Sequence, residues 1–164
     1  MRALMCAVLA VSLVFGASKG HAAKCGSNPG DEQAVIDARA TADSNCAAEG
    51  NGCNAGNHGA YVSCIADQAN QLSSGPTPSL PKSCKGKVKK CAAKSTCGKP
   101  GFVTCCITKH GKTTCKLKKS TTACTDKGGV VNMTHSSCCS TTHPLTVDSC
   151  NASPSGAFLD PSAF

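Results

Sequence analysis

The sequence predicts a small, disulfide-rich α+β protein, with N-terminal helices followed by short antiparallel β-hairpins. Three observations carry that prediction. Fourteen cysteines remain once an N-terminal leader is set aside, an even number that permits complete pairing. Apolar residues recur at helical spacing in the first half of the remaining chain and give way to Thr/Val/Ile/Cys-rich, strand-like runs in the second. From Lys24 onward only eighteen of 141 residues are Leu, Ile, Val or Phe. That is well under the roughly 20% below which a charged chain tends to stay disordered. Such a chain needs covalent staples, each contributing about 2–4 kcal/mol by restricting the unfolded state. Reduction is expected to unfold it.

Residues 1–23 read as a cleaved signal peptide. Met1-Arg2 gives a positive start, Ala3 to Gly16 is apolar but too short to span a bilayer, and Gly20-His21-Ala22-Ala23 offers a cleavage site. Cys6 leaves with the leader, which turns fifteen cysteines into fourteen. The cysteine set is then Cys25, Cys46, Cys53, Cys64, Cys84, Cys91, Cys97, Cys105, Cys106, Cys115, Cys124, Cys138, Cys139 and Cys150. Seven disulfides are expected, with connectivity left open by the sequence. No lipid anchor and no membrane span are implied, so the chain is expected to be secreted or periplasmic.

Residues 24–95 read as a helical, cysteine-containing region. Asn28-Pro29-Gly30-Asp31 offers an N-cap, a proline at the first helical position and an acid in the first turn. Val35, Ala38, Ala42 and Cys46 then recur on one face. The glycine- and asparagine-rich stretch 50–56 ends this helix, and Asn57 can cap a second in which Tyr61, Cys64, Ile65, Gln68 and Leu72 share a face. Each helix sets a cysteine on its apolar side, which predicts a cross-link to the other or to the next helix. Residues 73–81 form a Pro/Ser linker, after which Cys84, Val88, Cys91 and Ala92 fall on one stripe of a third helix.

Residues 96–150 read as β-rich. The order Cys97…Cys105-Cys106…Cys115 recurs as Cys124…Cys138-Cys139…Cys150, a duplicated single, double, single pattern. Between Phe102 and Lys119 the only turn signal is His110-Gly111. A two-residue loop there pairs Lys109 with Lys112, Ile107 with Thr114 and Cys106 with Cys115. It would set the last two opposite each other at a non-hydrogen-bonded position, where side chains approach most closely. That predicts a cross-strand Cys106–Cys115 disulfide. Val130 to Met133 and Thr146-Val147 are further strand candidates, and residues 151–164 read as a flexible tail.

Charge is the strongest signal besides cysteine. No Asp or Glu occurs from Gln68 to Thr125, whereas twelve lysines lie in that interval: Lys82, Lys85, Lys87, Lys89, Lys90, Lys94, Lys99, Lys109, Lys112, Lys116, Lys118 and Lys119. Residues 24–67 hold two basic and six acidic residues, so the chain is electrically lopsided. Such a patch favours polyanions: acidic polysaccharide, lipid head groups, or nucleic acid outside the cell. Its bases are all Lys, which lacks the bidentate fork used to read phosphate and base edges, and Phe102 alone could stack on a nucleobase. Sequence-specific nucleic-acid recognition is not expected.

Other chemistry finds little support. His135, Cys138, Cys139 and His143 cluster, but the chain has no Cys-x-x-Cys pair, and adjacent cysteines seldom ligate one tetrahedral ion. No metal or cofactor is expected. Gly16-Ala17-Ser18-Lys19-Gly20 fits the nucleophile-elbow pattern but lies in the leader. His58 and His110 read as surface residues beside a helix cap and at a turn. No carboxylate pair sits in an apolar setting suited to acid–base work. Asn132-Met133-Thr134 and Asn151-Ala152-Ser153 fit the N-glycosylation pattern.

Two resemblances follow. The order Cys91, Cys97, Cys105-Cys106, Cys115, Cys124 is similar to that of inhibitor cystine-knot (knottin) domains. The resemblance implies pairing of first with fourth, second with fifth and third with sixth, so that Cys106 would bond Cys91. Asn57-His58-Gly59-Ala60-Tyr61-Val62-Ser63-Cys64, together with Lys94-Ser95-Thr96-Cys97-Gly98-Lys99-Pro100-Gly101-Phe102, resembles uncharacterised cysteine-rich exported proteins predicted from bacterial genomes. That resemblance implies a bacterial source and no activity, ligand or catalytic residue. The functional expectation is a non-enzymatic, exported, disulfide-stabilised protein whose lysine-rich face binds anionic polymers or surfaces. The alternatives are a defence protein, namely an antimicrobial or a trypsin-type inhibitor presenting Lys109 and Lys112, and an enzyme whose residues the sequence does not single out.

Overall fold

The structure is a computed structural model and describes residues 24–132, 135–139 and 150. The leader, the Thr146-Val147 strand candidate, His143, the Asn151 sequon and the 151–164 tail lie outside the described residues. Three helices come first: α1 (Asp31–Ala48), α2 (His58–Leu72) and, after a 3₁₀ turn at Lys82–Cys84, α3 (Lys85–Ala93). The hairpin strands β1 (Val103–Lys109) and β2 (Lys112–Lys118) follow, then a short helix α4 (Thr121–Thr125) and strand β3 (Gly129–Asn132). The sheet is antiparallel throughout, in the order β2-β1-β3. This is the α+β arrangement that the change of period predicts.

The helical stripes become the core. Val35, Ala38, Ala42 and Cys46 of α1 pack with Tyr61, Cys64, Ile65 and Ala69 of α2 and with Val88 and Ala92 of α3. Asn57 caps α2 as its position suggests, its Oδ1 accepting from the Ala60 amide at 3.1 Å. Buried Gln68 is satisfied by Asn45 Nδ2, 2.7 Å from its Oε1. Leu80 is fully buried and its amide donates to Leu72 O, so the 73–81 stretch folds back onto the core.

The start of α1 departs from the reading of Asn28-Pro29 as cap and first turn. The helix begins at Asp31, and Gly30 before it takes φ 91°, a left-handed conformation that glycine adopts freely. Buried Asp31 accepts from the Gly26 amide at 2.8 Å and from the Asn28 amide at 3.3 Å. The acid therefore organises the preceding loop, and Asn28 caps nothing.

The hairpin register is Lys109↔Lys112, Ile107↔Thr114 and Cys106↔Cys115, as the two-residue turn predicts. His110 and Gly111 take φ 50° and 73°, the positive pair that matches the twist of a tight hairpin. Strand β3 then pairs with the other edge of β1, Cys105 facing Val131 and Ile107 facing Gly129. The sequence gives no warning of α4, which Ser120 Oγ caps through the Ala123 amide at 3.0 Å.

Seven disulfides use all fourteen cysteines among the described residues: Cys25–Cys84, Cys46–Cys64, Cys53–Cys97, Cys91–Cys139, Cys105–Cys124, Cys106–Cys150 and Cys115–Cys138. Of the two cross-links left open for the helix cysteines, to each other or to the next helix, Cys46–Cys64 realises the first. The predicted Cys106–Cys115 bridge is corrected. The two residues do face each other across the ladder, but Cys106 bonds Cys150 and Cys115 bonds Cys138. Facing residues project from the same side of a sheet, and on that side each sulfur takes a partner from the C-terminal segment. The Cys91–Cys106 pairing implied by the knottin order is not formed, whereas Cys105–Cys124, its third-to-sixth pairing, is.

The pairing also explains the two vicinal pairs. Successive strand residues point to opposite faces, so Cys105 reaches α4 while Cys106 reaches Cys150 on the other side. Cys138 and Cys139 divide differently, one bonding β2 and the other α3. Neither copy of the duplicated pattern is bonded within itself; three bridges run between the copies.

Candidate polyanion-binding face

The alternation of β2 puts Lys112, Thr114, Lys116 and Lys118 on one face of the sheet. Register adds Lys109 and Ile107 from β1 to the same face, opposite Lys112 and Thr114. Lys127, in the turn between α4 and β3, completes the set. Together these seven residues line a shallow concavity of about 440 Å³. It has five ammonium groups around a floor of Ile107 and Thr114 and, among the described residues, no acidic lining residue. Lys109 and Lys112 are direct cross-strand partners. Like charges placed so repel and destabilise a strand pair, so this face favours a counter-charge. Lys109, Lys112, Lys116 and Lys127 are exposed, and Lys118 is half-buried.

The twelve lysines picked out by sequence therefore separate. Lys109, Lys112, Lys116 and Lys118 converge on the concavity; Lys82, Lys85, Lys87, Lys89, Lys90 and Lys94 belong to the 3₁₀ turn, α3 and its end. Lys89 donates to Asn70 Oδ1 at 3.1 Å, and Lys99 lies over the Phe102 ring at 5.6 Å. Lys119 is exposed just beyond β2 but does not line the concavity. Lys127 escaped the sequence reading because Asp126 closes the acid-free interval before it. The signal that could have found it is Gly128-Gly129, which turns the chain back to the sheet.

Among the described residues the cysteines take structural positions. His58 is half-buried, not a plain surface residue, and its Nδ1 lies 2.7 Å from Cys97 O. His110 is exposed at the turn. Of the His135–His143 cluster, Cys138 and Cys139 are spent in disulfides, and the His135 carbonyl accepts from Thr104 Oγ1 at 2.8 Å. Ligand atoms of Cys25, Asp31 and Cys84 lie within 4.8 Å of one another, but Cys25 and Cys84 are bonded to each other and offer no thiolate. Among the described residues no helix is long and apolar enough to cross a membrane.

The stretches 57–64 and 94–102 meet in space. Gly98 N donates to Cys53 O at 2.8 Å, and Cys53–Cys97 bridges the same junction. Gly98 has φ +66°, and a Cβ there would overlap the backbone of Asn57 and His58. Cys53, Asn57 and His58 thus form the seat into which 97–98 fits. Comparison of this chain with known protein families, with curated proteins and with solved structures finds no match.

Proposed function

We propose that this is an exported, non-enzymatic protein that binds anionic polymers through the hairpin face, with acidic polysaccharide as the favoured ligand. The observation that carries this reading is the convergence of Lys109, Lys112, Lys116, Lys118 and Lys127 around Ile107 and Thr114. Lysines act as point charges and suit closely spaced sulfate or carboxylate groups without demanding one geometry. The floor offers a small apolar and hydroxyl surface to a sugar ring, and among the described residues no aromatic side chain lines it for base stacking. Lipid head groups present similar charges but favour a surface with apolar side chains that can enter the bilayer. The seven disulfides fit an oxidising compartment.

The trypsin-inhibitor reading has less support. Lys109 and Lys112 are held in the ladder on either side of a two-residue turn, which leaves no extended loop for a protease cleft.

Elution from immobilised heparin along a salt gradient tests the proposal. Lys112→Glu/Lys116→Glu/Lys118→Glu should elute at clearly lower salt than the parent. Lys82→Glu/Lys90→Glu/Lys94→Glu changes the net charge equally and should stay close to the parent. Equal shifts for both triples would reduce the binding to net charge and sink the assigned face.

A further inference from the structure

A second site lies in the helical region and does not depend on the lysine face. A cavity of about 290 Å³ opens where α1, α2 and α3 meet residues 95–97 and 136–137. The protein's only tyrosine, Tyr61, lines it, as does Arg39, its only arginine beyond the leader. Histidine aside, every other base after residue 23 is a lysine. The exception matters chemically, because the planar guanidinium matches a carboxylate through two parallel hydrogen bonds as an ammonium does not.

Asp43 stands one turn beyond Arg39 on α1 and also lines the cavity. Helix positions so related lie about 5–6 Å apart at Cβ, close enough for one small molecule to meet both. The Tyr61 hydroxyl donates to Asp43 Oδ1 at 2.7 Å and fixes that carboxylate. Burial, and then the Asp43 charge, push the Tyr61 phenol well above its ordinary range, so it remains a donor at neutral pH. Burial holds Arg39 somewhat below its ordinary value while Asp43 and Tyr61 oppose the shift. Asp43 is exposed and Arg39 half-buried, which puts the charged pair at the cavity's mouth. Ile65, Val88 and Ala92 supply an apolar wall.

We propose that this cavity binds a small zwitterion, a free α-amino acid with an aliphatic side chain. Its carboxylate would meet Arg39, its ammonium Asp43, and its side chain the wall of Ile65 and Val88. Charge balance separates this site from the rest of a basic protein: a plain anion would meet the Asp43 charge, and a plain cation the Arg39 charge. The volume sits at the lower edge of the roughly 300–1,000 Å³ typical of small-molecule sites, which suits a ligand of amino-acid size.

The test is a titration of the ¹⁵N-labelled, fully disulfide-bonded protein with leucine, leucine amide and N-acetyl-leucine, read by amide chemical shifts. Leucine should produce saturable shifts clustered at Arg39, Ala92, Ser95 and Cys97. Leucine amide and N-acetyl-leucine, each lacking one charge, should bind at least about tenfold more weakly, a difference of about 1.4 kcal/mol. Arg39→Lys should weaken leucine by a similar factor while leaving the remaining spectrum in place. Should that variant fail to fold, the two analogues on the parent protein still decide the matter. No saturation by about 10 mM leucine, roughly ten times a 1 mM Kd, would overturn the proposal. So would equal binding of all three compounds.

Discussion

The helical region gathers Val35, Tyr61, Ile65, Leu80 and Val88 into one buried cluster, whereas the sheet region buries Cys105, Ile107 and Cys124, with Val103 and Val131 against them. A large apolar side chain contributes about 1.5–3 kcal/mol when fully buried. The helical region has several and the sheet region one. Two of the three buried residues in the sheet cluster are the halves of one disulfide, so there the staple is also the core. In the helices a disulfide supplements packing; in the sheet it stands in for it. The acids lie in the first part of the helical region, six between Lys24 and Asp67, whereas the lysines are shared between α3 and the hairpin.

Two bridges allow this comparison to be broken cleanly. Cys46–Cys64 spans 18 residues and Cys105–Cys124 spans 19, so the loop-entropy contribution of each is nearly equal. Cys105→Ala/Cys124→Ala should cost about 3–5 kcal/mol, near the top of the range for losing a native disulfide, and should abolish hydrogen-exchange protection across the sheet. Cys46→Ala/Cys64→Ala should cost about 2–3 kcal/mol and leave all three helices protected. Denaturant unfolding of the two variants measures both. Equal losses with equal retention of structure would end the distinction.

The joint between the regions gives a smaller effect. Gly98→Ala puts a side chain at φ +66° and into the backbone of Asn57 and His58, and should cost at least about 2 kcal/mol. Gly75→Ala, at φ +87° but with open space around it, should cost only about 1–2 kcal/mol for the backbone conformation. Thermal unfolding of the pair separates the steric seat from the left-handed geometry.

Tyr61 sharpens the helical side by about 1 kcal/mol, the ordinary net value of one hydrogen bond. Its proton is held more tightly in the folded protein than in the unfolded chain. The associated stability is therefore complete below the ordinary tyrosine value near 10 and is lost as pH rises beyond it. Tyr61→Phe should be less stable than the parent at pH 7 and should lose less further stability between about pH 9 and 11. A parallel decline in both proteins would assign the alkaline loss to other groups.

How much of this was legible in the sequence follows from the range of each interaction. Helix faces, the Asn57 cap and the hairpin register depend on residues within a few positions of one another, and His110-Gly111 fixes the register through Cys106 and Cys115. Disulfide partners are long-range. Cys106 and Cys115 look paired from the ladder alone, and their real partners at Cys150 and Cys138 come from a segment whose approach no local pattern records. The lysine face was half legible: alternation along β2 puts Lys112, Lys116 and Lys118 together, but Lys127 arrives through α4, a five-residue helix with no apolar period to announce it. The Arg39–Asp43–Tyr61 cavity was not legible, because its groups come from different helices and each alone reads as an ordinary residue on an amphipathic face.

Besides Cys53–Cys97, the sheet is fastened to the helices by Cys138 and Cys139 parting company. Mapping the disulfides of the native protein by partial reduction and mass spectrometry tests this most directly. Cys138 bonded to Cys115 and Cys139 bonded to Cys91 are the predicted result, fastening sheet and helices through one pair of adjacent residues. A Cys106–Cys115 bridge, or both members of the vicinal pair bonded within residues 96–150, would contradict it.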